Sequence, residues 1–147
     1  MGMYDNFGTD KTLEVEGVWT NYGEFRVKIA HTGGANKAYL TLGEQKMKPF
    51  RRAIENGTFP RDRTEILLFE IFAHTIVKGW EVNTGEPGEE IWSPGIEGPD
   101  GDVLPFTPAN VEKTFKNLPA LFYDVKEVAD SIAAFRAADL EDDAKNS

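Results

Sequence analysis

The chain has 147 residues, 40% of them hydrophobic and 12% aromatic, and a formal net charge of −9. That length and composition suit one domain with a buried core and exclude wholesale disorder. Cysteine is absent, which excludes disulfides and thiolate metal sites, and no apolar run approaches the roughly 18 residues of a membrane span.

Residues 1–12 read as a flexible arm, and their polar, acidic character is unlike a secretory signal. The stretch 13–32 predicts a β-hairpin with Asn21-Tyr22-Gly23 near its turn. Phe25, Val27, Ile29 and His31 alternate with Arg26, Lys28 and Ala30, the period of a half-buried strand. Such a hairpin is marginal alone, so helices must cover it. A helix is predicted over 35–56, with a kink or break at Pro49 and a stop at Gly57. The central core helix is predicted over 60–80, where Ile66 to Val77 is apolar around most of its circumference. Residues 81–105 form an acidic Gly/Pro-rich loop, too long for an ordinary connection.

Two proline-started helices follow, at 108–117 and 119–139. Thr107 is placed to cap the first, and Pro108 and Pro119 suit the first helical position because its N–H has no intrahelical partner. Phe106 is positioned as a hydrophobic staple against Val111. Residues 140–147 read as a flexible tail. The whole predicts an α+β fold, mostly α-helical, with an N-terminal β-hairpin packed on a bundle of about four helices.

Charge is unevenly placed. Residues 1–80 carry 11 Lys/Arg and 10 Asp/Glu, whereas 81–102 carry seven acids and no base. Residues 124–147 carry seven acids against three bases. An acidic chain repels phosphate backbones, so nucleic acid is not an expected partner. The one positive concentration is Lys46, Lys48, Arg51, Arg52, Arg61 and Arg63. It reads either as a solvated helix face or as the complement of an acidic tail on a neighbouring copy, with Lys48, Arg51, Arg52, Arg61 and Arg63 as the candidate residues for electrostatic self-association.

Motifs for chemistry are lacking. His31 and His74 have no partner motif of the H-E-x-x-H kind and read as packing or surface residues. No G-x-S-x-G elbow surrounds Ser93 or Ser131. Glu89 and Glu90 read as solvated. GGANK at 33–37 lacks the spacing of a phosphate loop, and Asp100 and Asp102 lack the rest of a calcium loop. Neither catalytic residues, nor a metal site, nor a cofactor is expected. A small enzyme or ligand-binding domain around Trp80 and Trp92 remains a different reading, and it requires a concave pocket with convergent polar groups.

Several stretches in order resemble the tail assembly chaperones of long-tailed bacteriophages: FGTDKTLEVEGVWTNYGEFRVKIAHTGGANKAY, KPFRRAI, GW at 79–80, GDVLPFTPANV, LPALFYDV, FRA and DDAKN. The region 83–99 is longer than the short loop expected there, and nothing carries over to it. The resemblance implies a non-enzymatic protein of the host bacterial cytoplasm that coats the tape measure protein, helps recruit tail tube protein, tends to self-associate and is absent from the finished virion. It also implies a longer product made by ribosomal frameshifting, and Ala144-Lys145-Asn146 is compatible with the slippery heptamer A AAA AAC. Phe115, Leu118, Leu121, Phe122 and Val125 are the candidate partner-binding residues, and Leu118, Leu121, Phe122 and Val125 have the spacing of helix-in-groove anchors. Each has a second reading as part of the domain's own core. A structural tail subunit, such as a terminator or connector retained in the virion, is the alternative function.

Overall fold

The computed structural model describes residues 2–136. Two short helices open the chain, α1 (Met3–Phe7) and α2 (Lys11–Glu16). Strands β1 (Val18–Asn21) and β2 (Phe25–Ile29) form the hairpin. Helix α3 (Lys37–Met47) runs into a 3-10 turn (Lys48–Phe50) and α4 (Arg51–Glu55), and α5 (Arg61–Thr75) follows. Next come β3 (Val77–Asn83), β4 (Trp92–Pro94), β5 (Ile96–Glu97) and β6 (Val103–Leu104). Helices α6 (Pro108–Asn117) and α7 (Pro119–Asp130) precede a closing 3-10 turn (Ala133–Phe135).

The fold is α+β, as the sequence predicts, and the hairpin is the first half of a four-stranded antiparallel sheet of order β1-β2-β3-β4. β5 and β6 make a separate two-stranded pair. Asn21 Oδ1 accepts from Gly23 N–H at the hairpin turn, where Gly23 has φ 94°. That left-handed conformation is open to glycine without a Cβ penalty.

The predicted helix over 60–80 ends at Thr75, and the chain turns directly into β3. Ile-Phe-Ala-His-Thr-Ile-Val satisfies a buried helix and a buried strand equally well, so periodicity alone does not place the boundary. The β-branched Thr75-Ile76-Val77 favours extended backbone. β3 then pairs with β2, with Val27 opposite Trp80 and Ile29 opposite Val77, and supplies the third strand that a hairpin lacks. The acidic stretch after it holds the end of β3 and all of β4, β5 and β6 rather than one long loop. Asn83 Oδ1 organises its tip by accepting from the N–H groups of Gly85 and Ile91.

Pro49 breaks the helix predicted over 35–56, and the break takes the form of the 3-10 turn. Gly57, at φ 70°, follows α4. Thr107 Oγ1 accepts from Asn110 N–H at 3.1 Å with Pro108 at the first helical position, as its sequence predicts. Phe106 rests edge-on against Trp80 at 5.8 Å. Helix α7 stops at Asp130, short of the predicted 139. Ser131 is extended, and Phe135 folds back until its ring lies 4.7 Å from that of His31.

The start of the chain is also more structured than a loose arm. Asp10 Oδ1 caps α2 by accepting from Thr12 and Leu13 N–H, so residues 13–16 are helical instead of the first part of the hairpin. Asp10 N–H donates to Phe135 O, and Thr9 bridges Arg136, which fastens this segment to the end of the fold. The predicted tail 140–147 and the Ala144-Lys145-Asn146 run lie outside the described residues.

Phe122 lies at the centre of the core, its ring centroid 4.7 Å from Phe69, 5.0 Å from Phe72 and 5.3 Å from Phe115. Val27, Ile29, Val77 and Trp80 of the sheet close one side, and Val111, Val125 and Ala129 of α6 and α7 close the other. Among the described residues, no helix is long and apolar enough to cross a membrane.

Candidate partner-binding groove

Five residues of α6 and α7 have anchor spacing in the sequence, but the fold separates them. Phe115, Phe122 and Val125 are buried in the chain's own core. They are not offered to a partner in this fold. Leu118 is 56% exposed, and Leu121 is half-buried against the core edge.

Pro119 causes the separation. A residue before proline is pushed away from the helical region, and Leu118 has φ −130° and ψ 72°. Leu118 N–H still closes α6 by donating to Thr114 O at 2.8 Å. The side chain therefore leaves the helical stripe and projects at the corner between α6 and α7.

Leu118 and Leu121 form one wall of a groove of about 200 Å³, whose other wall is Phe25 of β2, Val82 of β3 and Ile96 of β5. Glu24 and Glu97 stand on its rim. A second hollow of about 280 Å³, lined by Gly98, Pro99 and Asn117, shares Glu97, Thr114 and Leu118 with the first. Leu118 is thus common to two adjoining depressions. An apolar trough with an acidic rim suits the apolar face of a helix flanked by lysine or arginine.

Phe25, Val82 and Ile96 escaped the sequence reading as groove residues. Phe25 shows in the alternating pattern of β2, but only tertiary structure brings Val82 and Ile96 beside Leu118.

The basic group occupies a different face. Lys48, Arg51, Arg52, Arg61 and Arg63 are all exposed, on the 3-10 turn, α4 and the first turn of α5. The Arg63 guanidinium lies 5.2 Å from the Phe50 ring and 5.0 Å from the Phe59 ring. With Ile66 and Leu67 these three residues line a hollow of about 170 Å³.

The histidines have separate settings. His31 is buried, and its Nδ1 lies 2.6 Å from Ala129 O, so Nδ1 carries the proton and donates it. Its Nε2 is 3.9 Å from the buried Glu14 carboxylate. His74 is exposed beside the Lys46–Glu70 ion pair in a groove between α3 and α5. Among the described residues no group of three or more His, Asp or Glu is placed to hold a metal ion. Trp80 is buried, its Nε1–H donating to Leu104 O, while Trp92 lies on the outer face of the sheet.

No curated protein and no solved structure matches the chain significantly. Residues 34–146 match the family model of the YdaY prophage protein. That span is well over half of the chain and includes Val82, Ile96, Leu118 and Leu121 of the groove wall, so the chain belongs to this family of prophage proteins.

Proposed function

We propose that this prophage protein is a tail assembly chaperone. It binds the tape measure protein in the host bacterial cytoplasm, helps bring tail tube protein to it, and is left out of the finished virion. It associates weakly with itself and works without catalysis or a cofactor. The observation that carries this reading is the exposed Leu118, seated with Leu121 over an acidic-rimmed apolar groove. The ordered resemblance to tail assembly chaperones supports it, as does membership of a prophage family.

Physically, the client is a long helical chain whose apolar stripe aggregates before a tube encloses it. A groove of this size takes one or two side chains of such a stripe, and many copies along one client gain avidity from weak contacts. The net charge of −9 keeps the coated client soluble.

The test is co-expression with the tape measure protein of the same prophage. The wild-type chain raises the soluble yield of the client, and Leu118→Asp removes that gain while leaving the chaperone folded by circular dichroism. Unchanged client yield with Leu118→Asp rejects the groove. Mass spectrometry of purified virions separates the alternative, because a terminator or connector persists in the particle. The proposed longer product is tested by silent recoding of Lys145 to AAG and Ala144 to GCC, which abolishes the longer band on a blot if slippage occurs there.

A further inference from the structure

The face built by α3, the 3-10 turn and α4 differs from the rest of the molecule. None of these three elements has a fully buried residue, whereas α5, α6 and α7 each have at least three. Leu40, Ile54 and Ile66 are large apolar side chains left exposed on it or beside it. Hollows open on both sides of α3, one of about 310 Å³ that includes Leu40, Met47, Arg51 and Leu68. Next to it lies the hollow of Phe50, Phe59, Arg63, Ile66 and Leu67. Apolar floors with exposed arginines around them fit a partner segment that combines an apolar anchor with several carboxylates.

The chain carries such a segment itself: Asp139-Leu140-Glu141-Asp142-Asp143, four acids around one leucine. We infer that this segment of one copy docks on the basic face of a second copy, with Leu140 in the Phe50–Phe59 hollow and its carboxylates on Arg51, Arg52 and Arg63. An apolar cavity of roughly 150 Å³ accommodates a group the size of benzene, so about 170 Å³ suffices for a leucine side chain.

Reach argues for a second copy over the same one. Phe135 is held at His31, whose carbonyl shares the Asn36 side chain with Thr75 O at the end of α5. The hollow lies at the other end, by Arg63. Twelve residues of helix separate Arg63 from Thr75, about 18 Å at 1.5 Å per residue. Leu140 follows Arg136 by four residues, a reach of at most about 14 Å. A chain's own Leu140 therefore stops short of its own hollow. The inference rests on charge and shape alone and is independent of the chaperone reading.

Sedimentation of the full chain without any client tests it. The wild-type chain associates with rising concentration at low salt and dissociates as salt screens the exposed charges. The pair Arg51→Glu and Arg52→Glu weakens association at least tenfold. So does the set Asp139→Lys, Glu141→Lys, Asp142→Lys and Asp143→Lys, and an equimolar mixture of the two variants associates again. Leu140→Asp, which leaves the basic face untouched, also weakens it at least tenfold. A wild-type chain that stays monomeric at high micromolar concentration and low salt overturns the inference. So does association that survives either charge reversal, or a mixture of folded variants that stays apart.

Discussion

The Tyr22 hydroxyl donates a hydrogen bond to the Asp124 carboxylate, joining the turn of the N-terminal hairpin to the middle of α7 across 102 residues of sequence. The Tyr22 ring stacks on Phe25 at 4.9 Å, and Phe25 in turn lines the groove beside Leu118. The contact therefore fixes the distance between the two walls of the candidate site.

This contact predicts an alkaline limit to stability. Burial, then the hydrogen bond to Asp124 and its negative charge, push the Tyr22 phenol well above its ordinary value. Tyr39 is raised as well, chiefly by burial and then by the charge of Asp130. In the folded chain these phenols keep their protons at a pH where the unfolded chain, with tyrosines near 10, releases them. Their contribution is complete below about pH 10 and is lost as pH rises toward the folded values. Urea unfolding of the wild type should weaken steadily above that pH. Tyr22→Phe should be less stable at pH 7 by about 1 kcal/mol and show a shallower alkaline decline. An identical decline in both proteins rejects the assignment.

Gly34 and Glu14 predict a non-additive pair. Gly34 has φ 57°, and a Cβ built on it falls 1.8 Å from Glu14 Oε2. Gly34→Ala should cost more than about 1 kcal/mol, from backbone strain and the clash together. In a Glu14→Ala background the clash is gone and only the strain remains, so the same change should cost less. Equal costs in the two backgrounds, read from urea midpoints, contradict the close approach.

The local signals of this fold were legible where one residue decides the backbone. Pro49 breaks a helix, Thr107 with Pro108 starts one, and Val27 and Ile29 alternate inward as their spacing requires. The end of α5 was not legible, because the apolar run from Ile71 to Val77 fits either period until a sheet edge is present to receive it. Phe122 and Leu118 are equally apolar, and their opposite fates depend on Pro119 and on which side Phe69 and Phe72 approach. Local periodicity does not carry that information. The groove has the same origin: one wall is local to the α6–α7 corner, and the other is assembled from β2, β3 and β5.

Phe122 and Leu118 should accordingly separate stability from binding. Phe122→Ala removes the ring at the centre of four aromatic side chains and should destabilise the fold by about 3–5 kcal/mol. Leu118→Ala acts on an exposed corner and should stay within about 0.5 kcal/mol of wild type in urea unfolding. A large loss with Leu118→Ala would place that side chain in the core and remove it from the groove.

The outer face of the sheet supplies the last prediction. The Arg26 guanidinium lies 4.2 Å from the Trp19 ring and 4.5 Å from the Trp92 ring, and its Nε–H donates to Glu81 Oε1 at 2.8 Å. Four residues from four strands thus meet across the full width of the sheet, with Trp19 and Trp92 on the two edge strands. A planar cation can stack on aromatic faces and donate to a carboxylate in its own plane at once, which a lysine ammonium cannot do. Arg26→Ala should cost about 1 kcal/mol, since both the ring contacts and the ion pair are partly exposed. It should also change the fluorescence of the two outer tryptophans, because the charge beside their rings is gone, while buried Trp80 keeps its surroundings. Arg26→Lys should recover the charge but only part of the stability. Full recovery with lysine would show that charge alone matters at this position, and an unchanged emission spectrum with alanine would show that the rings do not meet the guanidinium in solution.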